Sequence, residues 1–371
     1  MMGALLTRAM LSGSLAQIDH VAPVRPEHAS GLVARVYRQV GRDFGMLAPP
    51  VVLHSPAPDS LAAGWLMLRE TLLARGLVDR ATKETVATEV SLGNACPYCV
   101  DVHRALLHGF SGGGRNDGRS EAIAGWARAS RSKETAALHP VPFSAGQAPE
   151  LIGVAVTFQY LNRMVNVFLG DSPLPPQVPA GGRGLLLRLF GLIMRLSVRE
   201  ARRPGASLRL LPAAPLPADM SWAEGSPTVA AAFARAAAAV EAAGRRSVPG
   251  PVRDLVTARL DDWNGRPPGL GRGWTAEALS GLDPAQRPAG RLALLVAMAS
   301  YQVDRVVVDE FRADAADDRT LVELASWASL AAARRIGGWT GQAALSLSGE
   351  ASPEKGEGTS GEDRASSAEN A

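Results

Sequence analysis

Cys96 and Cys99 are the only cysteines in this 371-residue chain, and they stand in the run Ala95-Cys96-Pro97-Tyr98-Cys99-Val100-Asp101-Val102-His103. A histidine follows the second thiol by four residues, and Glu84 and Glu89 lie on the segment just upstream. Two thiols at this spacing can cycle between dithiol and disulfide. A thiolate, not a thiol, attacks peroxides and disulfides, so such a site must lower a cysteine pKa from its free value of about 8.5.

Several local features can do that. If Asn94 or Ala95 ends the preceding segment, Cys96 lies at a helix start, where unpaired N–H groups and the helix dipole favour negative charge. Pro97 suits a first helical turn because its missing N–H would have no partner there. His103 is one turn from Cys99 on the same face and can exchange a proton with that sulfur. Glu84, on the preceding helix, can fold back to orient the imidazole or relay the proton. Cys99 is therefore the candidate attacking sulfur and Cys96 the resolving one. The reverse order stays open, since Cys96 has the better helix-terminus position.

Competing readings exist. Cys96, Cys99, His103 and Glu84 are all permitted zinc ligands, although no second cysteine pair is available to complete a structural site. Two inert buried thiols are the third reading. Glu89 taken alone reads as a solvated helix residue or salt-bridge partner and His108 as a helix-end residue, while His20, His28, His54 and His139 have no neighbours in sequence that suggest a role.

The elements that must position these residues are helical. Apolar residues recur at helical spacing over Leu61 to Leu73, Lys83 to Leu92, Leu151 to Phe168, Thr228 to Ala243, Leu292 to Val308 and Thr320 to Ile336, and strand signals are scarce. The class is all-α. Hydrophobic residues make up 46% of the chain, enough for a sizeable core, and 39 basic against 36 acidic residues give a net charge of only +3, too little to argue for nucleic acid. Arg8 interrupts the short apolar stretch of Met1 to Gln17, so no export signal is read there, and a CxxC without further cysteines fits a reducing compartment; the expectation is cytoplasmic.

The chain also repeats itself. Val78 to Ala87 aligns with Val248 to Thr257, and the match continues until Asn94-Ala95-Cys96-Pro97-Tyr98-Cys99 meets Asn264-Gly265-Arg266-Pro267-Pro268-Gly269. Ser55-Pro56 has a counterpart in Ser226-Pro227, and Asn162-Arg163 resembles Asp304-Arg305. The second copy lacks both thiols. Four regions result: residues 1–170 with the CxxC, a Pro-rich connection over 171–217, a degenerate repeat over 218–345, and a Ser/Glu/Gly-rich tail over 346–371 expected to be disordered. Inside the connection, the basic, apolar stretch from Arg183 to Arg195 reads as a helix whose arginines keep it from spanning a bilayer. It is expected to cover a domain interface, with contact to an anionic membrane surface as the alternative.

The run from Lys83 to His103, with an acid twelve residues before the first cysteine, V-S-x-x-N-x-C, C-x-x-C and the trailing histidine, resembles the core of the AhpD-like alkylhydroperoxidases of the carboxymuconolactone decarboxylase superfamily. The resemblance is strong over about residues 55 to 110 and faint in the second copy. It implies an all-helical AhpD-like domain, here duplicated in tandem, assembly into homo-oligomers, and reduction of hydroperoxides through a CxxC disulfide cycle without a bound cofactor. It maps the thiols onto Cys96 and Cys99 and the proton relay onto His103 and Glu84, and it implies an external dithiol reductant, a lipoyl or thioredoxin-like protein. Where such hydroperoxidases can carry a second histidine between the cysteines, this chain has Tyr98. A non-enzymatic redox sensor, a general disulfide oxidoreductase and lactone decarboxylase-type chemistry are the alternatives.

Overall fold

The computed structural model describes residues 15–111, 118–174, 178–197, 202–313 and 316–349. Most of the N-terminal stretch with Arg8, the Gly112-Gly113-Gly114 run, Pro175-Pro176 and the tail from residue 350 lie outside the described residues. The fold is all-α. Among the described residues the only β pairing is two isolated bridges, Ile18 with Leu169 and Ala74 with Arg202.

The first half contains α1 (Gly31–Asp43), α2 (Pro49–Val52), α3 (Pro58–Leu68), α4 (Arg80–Gly93), α5 (Pro97–Ser111), α6 (Gly118–Ala129), α7 (Lys133–Leu138) and α8 (Ala148–Phe168). Then come α9 (Ala180–Ser197), α10 (Pro227–Ser247), α11 (Gly250–Asp261), α12 (Trp274–Ala278), α13 (Arg287–Ala299), α14 (Arg305–Arg312) and α15 (Asp318–Gly349). Starts follow local chemistry: proline occupies the first turn of α2, α3, α8, α10 and α11, and Asp79 caps α4 by accepting from the Thr82 N–H at 3.0 Å. The apolar stretch from Leu292 to Val308 is two helices rather than one. Ser300–Gln302 forms a 3₁₀ turn, and Asp304 caps α14 by accepting from Val307 N–H at 3.1 Å.

Helix α8 is the axis of the molecule. Every residue from Pro149 to Val165 is buried, so this helix has no solvent face. It packs against α4 and α15, while α3 packs on α10 and α10 on α15, so one hydrophobic core runs through both halves. Helices at corresponding places in the two copies thus meet one another. The starts of α4 and α11 keep the register of the sequence repeat, and the aligned residues Ala95 and Gly265 both have positive φ, 49° and 94°. The downstream match does not hold. Asn162 and Arg163 are buried near the end of α8, whereas Asp304 is the partly exposed cap of α14, ion-paired with Arg272.

The connection between the copies is fastened by buried charge. Arg69 donates to Asp43 at 2.6 Å and to Glu70 at 2.7 Å, and also to the carbonyl of Arg203 at 3.1 Å. Glu70 in turn accepts from the Gly205 N–H at 2.7 Å and the Ser207 hydroxyl at 2.6 Å. Arg69–Leu73 winds as a single π turn, closed by Ala74 N–H to Arg69 C=O at 2.8 Å. Helix α9 lies along α5, and Gly191 lets the two backbones touch at Ala105. Helix α15 continues past Ser346 to Gly349. No helix among the described residues is long and apolar enough to cross a membrane.

Two consequences for stability follow. Replacing Arg69 with methionine leaves Glu70 without its cation and Asp43 with only the exposed Arg42, and should cost about 3–5 kcal/mol in urea denaturation. His54 is fully buried against Tyr160, its Nε2 has no partner among the described residues, and burial holds its pKa down at about 4. Unfolding frees that imidazole to titrate near 6.5, so its contribution is intact above pH 6.5 and is lost as pH falls toward 4, on the order of 3 kcal/mol in all. His54→Phe should flatten the Tm-against-pH curve across that window; an unchanged slope would show that other groups set it.

Candidate active site

The site is made by a sharp reversal between α4 and α5. Helix α4 ends as Asn94 N–H donates to Val90 C=O at 3.0 Å, Ala95 takes a left-handed conformation, and Cys96 N–H returns to Ser91 C=O at 3.1 Å. The carbonyl of Cys96 then accepts the first helical bond of α5 from Val100 N–H at 3.0 Å, so Cys96 is the residue at the N-terminus of α5 and Pro97 its first helical position. This reversal packs α5 back on α4 and brings His103 to Glu84 across nineteen residues of chain.

His103 Nδ1 and Glu84 Oε2 are 2.7 Å apart. Glu84 is completely buried; burial alone would raise its pKa, but Arg80 and His103 outweigh that and hold it below the ordinary carboxylate value. The ionised carboxylate can only accept, so Nδ1 carries the proton, and Nε2 is the basic nitrogen of the neutral ring. Arg80 Nε donates to Glu84 Oε1 at 2.7 Å, its Nη1 to the Leu72 carbonyl at 3.2 Å, and its guanidinium lies over the Phe110 ring. The π turn thus presents the carbonyl that steadies the cation that steadies the acid. The edge-to-face contact of Phe158 with His103, 4.5 Å between centroids, fixes the imidazole from the other side.

Both thiols are free and buried, with the Cys96 Sγ donating to Cys99 Sγ at 2.8 Å. A disulfide of about 2.05 Å requires less than an ångström of further approach. Burial, and then the neighbouring Cys96, push the Cys99 thiol well above its usual range, while a hydrogen bond from the Asn162 side chain works in the opposite direction. A chain of amides supports that donor: Asn94 Nδ2 donates to Asn162 Oδ1 at 3.0 Å, and Asn162 Nδ2 reaches Ser91 Oγ at 3.0 Å.

Cys99 and His103 share the wall of a small cavity of about 110 Å3 with Tyr98, Leu72, Val102, Phe158 and Leu161. Cys96 does not line it. Tyr98, whose hydroxyl is within 3.4 Å of Gln17 Oε1, is held as the neutral phenol by burial.

The structure therefore brings together Glu84, Cys96, Cys99 and His103. Glu89 points elsewhere and pairs with exposed Arg128 at 2.9 Å, and His108 stands in the exposed last turn of α5. Among the described residues no group of three or more His, Cys, Asp or Glu is placed to hold a metal ion. Arg80, Phe158 and Asn162 were not read as site residues from sequence. A signal existed for Asn162: Gln159, Asn162, Arg163 and Asn166 form a polar stripe at helical spacing inside an otherwise apolar helix.

Residues 59–138 match the sequence pattern of the carboxymuconolactone decarboxylase family. The chain is also 37% identical over 338 residues to a protein named alkyl hydroperoxide reductase Rv2159c from Mycobacterium tuberculosis, a match covering 88% of this chain and 96% of that protein. The chain belongs to the carboxymuconolactone decarboxylase family, in its AhpD-like branch. The matched segment spans α3 to α7 and so contains all four clustered residues.

Asn162→Leu removes the amide donor that favours the Cys99 thiolate. The pH-dependent rate of iodoacetamide alkylation should fall about fivefold near pH 8, the equivalent of one hydrogen bond of about 1 kcal/mol, and its midpoint should move to higher pH.

Proposed function

We propose that the protein is a thiol-dependent peroxidase that reduces organic hydroperoxides through a Cys96–Cys99 dithiol/disulfide cycle. The observation that carries this reading is a cavity wall formed by one thiol and one histidine, with a second thiol 2.8 Å behind the first and a buried carboxylate behind the histidine. The name of the Mycobacterium tuberculosis relative supports the same class of substrate.

In the proposed cycle, His103 Nε2 takes the Cys99 proton, and the thiolate attacks the terminal oxygen of the hydroperoxide. The O–O bond breaks, the alkoxide leaves with the proton held by His103, and Cys99 becomes a sulfenic acid. Cys96 then attacks the Cys99 sulfur, forming the disulfide and releasing water with its own proton. An external dithiol reverses the disulfide by exchange, becoming oxidised itself; a lipoyl or thioredoxin-like protein is the class of donor. Glu84 holds the Nδ1 proton and stabilises the imidazolium that forms transiently, and Arg80 keeps Glu84 ionised throughout. The burial that raises the Cys99 thiol explains why a base is needed: little thiolate would form at neutral pH without one. The apolar lining favours an organic over a fully hydrated peroxide. Assembly into homo-oligomers and a cytoplasmic setting, in which such donors are reduced, complete the reading.

Three results would support it together. One equivalent of cumene hydroperoxide should consume two free thiols and yield one intramolecular disulfide. Cys99→Ser should abolish turnover with a dithiol donor, whereas Cys96→Ser should trap a sulfenic acid that dimedone labels. His103→Gln should slow turnover about a hundredfold or more, as loss of a general acid–base does, while its residual rate keeps climbing above pH 9. Wild-type turnover by the Cys96→Ser, Cys99→Ser double variant would overturn the proposal.

A further inference from the structure

A second cavity, of about 590 Å3, opens between the two copies on the far side of the Asn94 turn, and its walls include Asn94, Arg131, Arg163, Trp263, Arg266 and Ser300. We propose that it binds an organic anion, a carboxylate or phosphate group seated against Arg163 with an apolar body along Trp263, Leu270 and Met298.

Arg163 carries the inference. It is 5% exposed, and no carboxylate among the described residues is paired with it. Its Nε donates to the Ala297 carbonyl at 3.0 Å and its Nη1 to the backbone and side-chain oxygens of Gln159 at 2.6 and 2.8 Å. The hydrogen bonds of Arg163 to other described residues use Nε and Nη1, which leaves Nη2 to the cavity that Arg163 lines. An uncompensated buried cation costs several kcal/mol unless something pairs with it. Burial accordingly draws this guanidinium down to about 9, far below the arginine norm. Its cation also faces the Trp263 ring at 5.9 Å, leaving the positive edge of the site against an aromatic wall.

The surroundings repeat the sign. Among the described residues no acidic side chain lines the cavity, whereas Arg131 and Arg266 do, and Arg131 has no ion-pair partner there. Among the described residues the Arg266 guanidinium has a single ion-pair partner, Glu134, at 3.7 Å and largely exposed. Ser132, Thr135, Ser300 and Tyr301 supply hydroxyls. The volume exceeds the roughly 30 Å3 share of one water many times over and falls within the range of small-molecule pockets, so a bare inorganic ion would leave the apolar walls unused.

The cavity is built rather than incidental. Its second-copy wall is the Asn264-to-Gly269 segment, the aligned counterpart of the CxxC run, where Arg266 stands in the place of Cys96 and Gly269 in that of Cys99. This segment is tied to the first copy by Lys133 N–H to the Asn264 carbonyl at 2.9 Å and by Asn264 Nδ2 to Glu134 at 3.0 Å. Gly265 is required there: a Cβ would collide with the Arg131 carbonyl, and its φ of 94° excludes most side chains.

Isothermal titration of the full chain at low ionic strength, with octanoate, phenyl phosphate, inorganic phosphate and 1-octanol, tests this. Saturable 1:1 binding of octanoate or phenyl phosphate, at least about tenfold tighter than 1-octanol and inorganic phosphate, is expected, and the stronger of the two anions identifies the head group. The exposed double substitution Arg131→Ala, Arg266→Ala should weaken that binding about tenfold or more with unchanged circular dichroism, and Arg163→Gln should abolish it. Cys96→Ser, Cys99→Ser protein should bind as wild type does, separating this cavity from the thiol site. Equal affinity for 1-octanol, binding of inorganic phosphate as tight as the organic anions, undiminished binding in the double arginine variant, or no saturable heat with either anion would each overturn the proposal.

Discussion

A carboxylate with no access to water is the constraint on which the rest of this site depends. Glu84 stays ionised only because Arg80 meets one oxygen and His103 the other, each at 2.7 Å. Arg80 needs its own support, which the Leu72 carbonyl and the Phe110 ring provide. Removing Arg80 would leave the Glu84 carboxylate buried without its cation, a very expensive state in a protein interior. The acid, the π turn at Arg69–Leu73 and the helix reversal at Ala95 therefore form one unit whose output is a single orientation and a single tautomer for His103.

Burial raises the pKa of the acid and of the thiol alike, but the outcomes are opposite. Glu84 has partners that offset its desolvation, so its charge survives; Cys99 has only the Asn162 amide against it, so its thiol stays protonated at rest. In the proposed cycle, that asymmetry suits a nucleophile that is silent until a base engages it. It also explains why α8 carries a polar stripe through the centre of the molecule. Arg163, held by Gln159, lines the second cavity, Asn162 hydrogen-bonds toward Cys99, and Asn166 joins the Asn94 carbonyl to Ser300 at 3.1 and 3.0 Å.

The second copy contributes walls in place of thiols. Helix α15 covers α8, α10 covers α3, and the segment aligned with the CxxC run closes a cavity beside Asn94. Where the first copy has Cys96 and Cys99, the aligned positions of the second are Arg266 and Gly269, and a positive-φ residue precedes the first of them in both copies.

The all-α class, the helix start at Pro97, the repeat, and the grouping of Cys96, Cys99, His103 and Glu84 were all legible in one dimension, because they depend on spacing along helices or on local backbone chemistry. Helix periodicity puts His103 on the same face as Cys99 wherever the helix goes. Arg80, Phe158 and Asn162 were not legible, since their roles depend on which helix packs on which face. The match of Asn162-Arg163 to Asp304-Arg305 failed for a related reason: a pair of residue types carries no information about whether it sits inside a buried helix or caps an exposed one. Only the tertiary structure decided which thiol borders the cavity, that α9 lies along α5, and that a buried arginine faces a space between the copies, because burial and the pairing of charge are set by contacts between segments distant in sequence.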